Sequence, residues 1–206
     1  MGTIVLVRHG ETAWNDEHRV QGWAPVGLND RGREQGAALG DHLAAEYDID
    51  RIVASDLRRT VETLREIRRA VDVDTVQTDR GWRERDFGVL QGLEYEALFQ
   101  GYPEFSLLEA GYEGATATPE RGESWLEFGE RVLTAWDELR KEIGDETVLV
   151  VTHGGPIHVV LGELHGLDIV ETIRDLDIGN CAVTEVGVED DTLSLRRETD
   201  TGFLDS

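Results

Sequence analysis

Two short apolar runs in this chain end on the same dipeptide. Thr3-Ile-Val-Leu-Val7 leads into Arg8-His9-Gly10, and Thr147-Val-Leu-Val-Val151 leads into Thr152-His153-Gly154-Gly155. A short, wholly apolar run reads as a strand buried on both faces, as in a parallel sheet covered by helices. Ligands of open α/β sheets bind beyond the carboxyl ends of the strands. Two such strands in one sheet bring one imidazole each to the same rim. The glycine after each histidine allows a sharp turn or a close approach of the backbone.

The rest of the chain alternates between helix and strand signals. Asn29 reads as the N-cap of a helix to about Glu46, with Ala37, Leu39 and Leu43 available for the core. Ile52-Val53-Ala54 is a second strand, Ser55 is expected to cap a helix to about Ala70, and Val71–Val76 is available as a third strand. Residues 81–92 form a glycine-punctuated loop. Ser124 caps a long helix to about Ile143, and Pro156 opens another after the second His-Gly strand. The end reads as a hairpin, Cys181–Val188 and Leu193–Glu198 around an Asp190-Asp191 turn, placed as an antiparallel edge. This alternation predicts one domain over residues 1–206, a three-layer α/β/α sandwich with a mostly parallel sheet. Residues 93–123, irregular and glycine-rich from 101 onward, are expected to form a lid insertion carrying Tyr102, Phe105, Leu107, Leu108 and Tyr112.

Charge narrows the partners. The 206 residues carry 43 acidic against 20 basic side chains, a formal net charge of −23, and Lys141 is the sole lysine. Nucleic acids and anionic membranes need a positive footprint, so neither is expected as a partner. Acidity combined with lysine depletion reads as a halophilic surface, screened by a salt-rich cytoplasm. A single cysteine, Cys181, excludes an internal disulfide and a multi-cysteine metal site, and it reads as a small buried residue in a strand. No apolar stretch is long enough to span a bilayer, and Arg8 and His9 interrupt the first apolar run, so a cytoplasmic location is expected. Oligomeric state leaves no signal in the sequence.

Arg8 precedes His9 at a strand end, Arg59 lies early in the helix after the second strand, and Glu84 sits in the glycine-punctuated loop. Two guanidinium forks suit a tetrahedral oxyanion such as phosphate. His9, His153 and Glu84 can also be drawn as a two-histidine, one-carboxylate metal site, but Arg8 and Arg59 beside it oppose a dication. His18, His42, His158 and His165 read as surface or helix-flank residues, with His158 one turn beyond His153 and nearest the expected pocket.

Taken together, these motifs resemble the histidine phosphatase superfamily, also called the phosphoglycerate mutase-like family. The likeness runs through Arg8-His9-Gly10-Glu11-Thr12 with Trp14-Asn15, Gln21-Gly22-Trp23, Ser55-Asp56-Leu57-Arg58-Arg59 with Thr63, and Glu84 with Asp86-Phe87-Gly88 and Gly92. It continues through Gly122-Glu123-Ser124 with Arg131, Val151-Thr152-His153-Gly154-Gly155, and Asn180. Ala24-Pro25-Val26-Gly27-Leu28-Asn29 departs from the family's usual loop. The resemblance implies a phosphomonoester hydrolase with His9 as nucleophile, Glu84 as general acid and base, and His153, Arg8 and Arg59 holding the phosphoryl oxygens. It implies phosphate contacts from Asn15, Gln21, Gly22 and Gly154, a small phosphorylated metabolite as substrate, and no metal or other cofactor. The same catalytic set serves phosphoglycerate mutases. Residues 93–123 carry only Arg121 as a cation, which is little charge to retain a bisphosphate, so hydrolysis is favoured. A non-catalytic phosphate-binding module is the remaining alternative; a protein of that kind is expected to have lost His9 or Glu84.

Overall fold

A computed structural model of the chain describes residues 1–190 and 192–205, with the side chains of Leu108, Arg174, Asp175 and Asp205 outside the described set. In chain order the elements are β1 (Gly2–Arg8), α1 (Ala13–Asp16), α2 (Asp30–Glu46), β2 (Arg51–Ala54), α3 (Arg58–Ile67) and β3 (Thr75–Thr78). There follow α4 (Tyr95–Gly101), α5 (Leu107–Ala110), α6 (Tyr112–Thr116), α7 (Trp125–Glu142), β4 (Thr147–Thr152), α8 (Gly154–His165), α9 (Ile169–Asp175), β5 (Val183–Glu189) and β6 (Thr192–Asp200).

The strands form one sheet in the order β3-β2-β4-β1-β5-β6. Pairing is parallel from β3 through β1 and antiparallel for β1–β5 and β5–β6. Alternation along β1 and β4 sends side chains to two separate cores. Ile4, Leu6, Val148 and Val150 meet Phe128, Val132, Trp136 and Leu139 of α7 and Ile157 and Val160 of α8. Val5, Val7, Leu149 and Val151 meet Leu39 and Leu43 of α2 and Leu64 and Ile67 of α3. Helices therefore cover both faces, which is the expected three-layer sandwich. Truncating one of these buried aliphatics to alanine costs about 2–5 kcal/mol. No described helix is long and apolar enough to cross a membrane.

Several local expectations shift. α3 begins at Arg58 with Leu57 as its N-cap, so Ser55 is not the cap; its hydroxyl is 3.4 Å from Leu57 N and closer, at 2.8 Å, to His153 Nε2. The third strand lies at Thr75–Thr78 rather than Val71–Val76, because Val71 and Val73 are consumed by the core before the chain reaches β2's edge. Cys181 is buried but precedes β5, with φ +59, so it belongs to a turn instead of a strand. The expected Asp190-Asp191 turn falls partly on Asp191, outside the described residues. The segment read as irregular is folded into the short helices α4 to α6, with the Ser106 side chain accepting from Glu109 N to start α5.

Candidate active site

Sheet register alone brings the two histidines together. Arg8 is level with Thr152 in the parallel β1–β4 ladder, and His9 N donates to Thr152 O at 3.0 Å. The next strand joins the same rim, with Ser55 N donating to Val151 O at 3.0 Å. Ser55, His153 and His9 thus stand at the carboxyl ends of β2, β4 and β1. Gly10 is there for close approach: a Cβ on it would lie 2.3 Å from Gly32 O in the first turn of α2. At the second histidine the demanding glycine is the next one. A Cβ on Gly154 meets nothing closer than 3.7 Å, whereas one on Gly155 would lie 2.0 Å from Glu84 Oε1.

Arg59, fully buried, organises the centre. Its Nε donates to His9 Nε2 at 3.2 Å and to His153 Nδ1 at 3.1 Å, and its second terminal nitrogen donates to Gly22 O at 2.8 Å. Gly22 anchors Arg59 through its carbonyl and also lines the cavity, where it was expected as a phosphate contact. His9 Nδ1 donates to Gly10 O at 2.7 Å, which leaves Nε2 with the lone pair. Burial, then Arg59 and Arg8, hold the His9 pKa well below the ordinary imidazole range. Burial is the larger cause, ahead of the charge repulsion that the adjacent arginines suggest. His153 is depressed in the same way, by burial first and Arg59 second. Burial also pushes Arg59 down to about 10, which leaves it charged at neutral pH.

The arginines retain unused donors. Arg8 hydrogen-bonds Ile178 O through one terminal nitrogen, but among the described residues its buried Nε has no partner, and neither has the buried NH1 of Arg59. Unpaired buried donors of this kind cost roughly 1–3 kcal/mol each, more when charged, unless a ligand satisfies them. Two of them at one cavity mark an anion site. Gly154 adds an N–H of the α8 first turn, where helix geometry supplies no intrahelical partner. Asn15 and Gln21 also line the cavity, and their oxygens lie 3.0 Å from the Thr12 hydroxyl, which turns their amide nitrogens away from it. The point where a shared metal would have to sit, between the two imidazoles, is taken by the Arg59 N–H.

Glu84 faces this centre from the loop after β3. Its Oε1 accepts from Arg85 N at 2.9 Å and its Oε2 from Gly155 N at 3.2 Å. Neither neighbouring arginine pairs with it. Arg83 forms a two-point bridge to Asp56, at 2.5 and 2.6 Å, and the Arg85 guanidinium is buried between the Phe87 and Trp125 rings. The loop itself is clasped by Arg131 of α7, which donates to the carbonyls of Arg80, Gly81, Arg83 and Glu84 and pairs with Glu123. Sequence reasoning noted Arg131 only as a motif residue. Its carbonyl-gathering role has no sequence signal, and the same holds for Ser55, whose Oγ lies 2.8 Å from His153 Nε2.

The cavity measures about 270 Å³. Beyond the reacting centre its walls are mostly apolar, from Phe87, Trp125, Ile173 and Ile178 and from Tyr95, Leu98, Phe99, Phe105 and Leu107 of the expected lid, with Ser106, His158 and Asp177 as the polar exceptions. Tyr102 and Tyr112 were expected on that inner face and are not among the lining residues; Tyr112 borders a second groove beside α7 and α8. The Leu108 side chain lies outside the described residues. His158 reaches the cavity, with Nδ1 2.9 Å from Gly154 O and Nε2 3.1 Å from Leu176 O.

An α/β sheet that presents two neutral imidazoles, two arginines with unpaired donors and one carboxylate at its rim defines an enzyme of anionic substrates. Comparison with known proteins makes this definite. The signature of the histidine phosphatase superfamily (branch 1) matches residues 4–201. The chain is 38% identical over 154 residues to phosphoglycerate mutase-like protein 4 of Arabidopsis thaliana, covering 75% of this chain and 67% of that one. It is 33% identical over 169 residues to phosphoserine phosphatase 1 of Hydrogenobacter thermophilus, covering 82% and 79% respectively. The fold superposes on the phosphoserine phosphatase of Entamoeba histolytica, solved with 3-phosphoglyceric acid, with TM-score 0.85 and 25% identity over 99% of this chain and 100% of that one. The chain belongs to the histidine phosphatase superfamily, and within it the enzyme is a phosphatase.

Proposed function

We propose that this chain hydrolyses phosphomonoesters through a phosphohistidine formed on His9. The observation that carries the reading is the Arg59 Nε–H shared by His9 Nε2 and His153 Nδ1, beside the unpaired donors of Arg8 and Arg59. In the first step His9 Nε2 attacks phosphorus, the ester P–O bond breaks, and Glu84 protonates the leaving oxygen. In the second step Glu84 takes a proton from water, whose oxygen attacks phosphorus and releases phosphate from His9. Arg8, Arg59 and His153 neutralise the phosphoryl oxygens in both steps, with Gly154, Asn15 and Gln21 as further donors.

Residues 93–123 act as a lid that selects the leaving group through Phe99, Phe105 and Leu107, while the phosphoryl half of the cavity is common to all substrates. Hydrolysis is favoured over mutase chemistry because Arg121, the lid's one cation, is 82% exposed and pairs with Glu120 outside the cavity. A bisphosphate would meet no second cationic subsite among the described lining residues.

Turnover of a generic phosphomonoester in high salt with chelator present, coupled to trapping of an acid-labile phosphoenzyme, tests the reading. His9→Ala abolishes both signals. Persistence of either, or isomerisation of 3-phosphoglycerate outrunning phosphate release when 2,3-bisphosphoglycerate is added, overturns it.

A further inference from the structure

We propose that Ser55 is a positioning residue that accepts the Nε2–H of His153 and, together with Arg59 on Nδ1, holds the proton on Nε2, so that Nδ1 meets the phosphoryl group as a proton acceptor and then becomes its donor.

The assignment follows by elimination. Arg59 Nε–H donates to His153 Nδ1 at 3.1 Å, and a nitrogen that accepts a hydrogen bond carries no proton. The ring is buried beside Arg59 and Arg8 and is held neutral. Its single proton is therefore on Nε2, where the one partner among the described residues is Ser55 Oγ at 2.8 Å. Ser55 is fully buried, and its oxygen also lies 3.4 Å from Leu57 N, so two N–H groups converge on it. A serine at this place is freed from helix capping by the late start of α3 at Arg58. The first free position after β2 therefore serves the catalytic histidine.

The consequence concerns substrate binding, and it rests on the phosphatase reading. In the unliganded site Nδ1 of His153 and Nε2 of His9 share one guanidinium hydrogen, with the rings edge to face at a centroid distance of 5.3 Å. A phosphoryl oxygen brought to Arg59 would face a bare lone pair on Nδ1. A phosphate monoester near its second ionisation, at about pH 6, carries one proton on the phosphoryl group. The bound anion offsets the Arg59 and Arg8 charges that, after burial, hold the free ring neutral, and transfer of that proton then breaks the phosphoryl O–H bond and forms Nδ1–H. The ester becomes a dianion and His153 an imidazolium, with total charge unchanged. The new Nδ1–H donates to the phosphoryl oxygen, while Nε2–H remains on Ser55. His9, whose Nδ1 is tied to Gly10 O, stays neutral and keeps its lone pair for attack. Two chemically identical rings thus take different roles because one is anchored by a carbonyl and the other by a hydroxyl.

Nitrogen NMR of ¹⁵N-histidine-labelled protein at neutral pH reads the proton positions directly, without turnover. Free wild type is expected to show His153 with a proton on Nε2 alone, and saturation with inorganic phosphate to add one on Nδ1. In Ser55→Ala the buried Nε2–H loses its acceptor and only the Arg59 N–H, shared with His9, still favours the Nε2 tautomer, so the free ring becomes a mixture and kcat/KM falls roughly 10- to 100-fold; Ser55→Thr, which keeps a hydroxyl, restores the single tautomer. A free wild-type ring protonated on Nδ1, no second proton with phosphate bound, or an unchanged tautomer in Ser55→Ala overturns the proposal. The free-state spectrum separates the two readings: failure to hydrolyse any phosphomonoester defeats the phosphatase reading and leaves the tautomer to be scored on its own.

Discussion

The carboxylate of Glu84 is held by the backbone of Gly155, two residues past His153, at 3.2 Å from Oε2. The proposed acid is thereby locked to the strand end that carries the second histidine. Gly155→Ala places a Cβ 2.0 Å from Oε1 and 2.9 Å from the Phe128 ring, so the carboxylate must move. Turnover of alkyl phosphates is expected to fall about 100-fold, since displacement of a catalytic group by about an ångström costs that order. Steady-state kinetics check it, with circular dichroism confirming the fold.

Glu84→Gln keeps the shape and removes the proton. For alkyl leaving groups kcat/KM is expected to drop by about 10²–10⁴, and far less for p-nitrophenolate, which leaves without protonation. Equal losses for both esters would assign Glu84 to binding instead.

Two imidazoles held neutral by burial make stability depend on pH. The unfolded chain takes up protons near pH 6.5, where the folded His9 and His153 do not. Their contribution is complete above that pH and is lost as pH falls through the window between the unfolded and the lower folded values. Each ring adds up to about 1.4 kcal/mol of destabilisation per pH unit there. Urea unfolding at pH 7.5 and 5.5 checks this, and His153→Gln is expected to reduce the loss.

Phe99 and Phe105 line the cavity on the side of the proposed lid. Their replacement by alanine is expected to raise KM for bulky apolar esters about tenfold and to leave small esters nearly unchanged, since the phosphoryl contacts are untouched. A uniform loss across a panel of esters would remove the lid from the account.

Asp177 is the one carboxylate lining the cavity away from the reacting centre, and Arg8 and Arg59 are the only lysine or arginine side chains among the described lining residues. Esters with an ammonium group are therefore expected to be preferred over uncharged ones. Phosphocholine and 3,3-dimethylbutyl phosphate match in shape and differ in that charge. A two- to fivefold preference for phosphocholine is expected, about the size of an exposed ion pair, and Asp177→Asn or added salt should erase it.

Period and punctuation made the sheet legible from the sequence. The apolar runs before His9 and His153 can only be strands covered on both sides, and a parallel pair must deliver its following residues to one rim, so the two imidazoles and their meeting place were readable. Helix α7 was readable from Ser124, whose capping box with Glu127 is a local signal. Packing decided the rest. Whether Ser55 caps a helix or serves His153 depends on where α3 docks against the sheet, which no local propensity encodes. The carbonyls gathered by Arg131 come from a loop some fifty residues away, at separations of 47 to 51. The proton on His153 is set by partners remote in sequence, that on His9 by the carbonyl of the next residue, and both rings are held neutral by burial, which exists only once the two cores have closed over the sheet. Residue types and the strand runs were written in the chain; the order of the strands in the sheet, hydrogen-bond partners, protonation and the lining of the leaving-group cavity belong to the tertiary structure, because each depends on distances between segments that the chain's local chemistry does not determine.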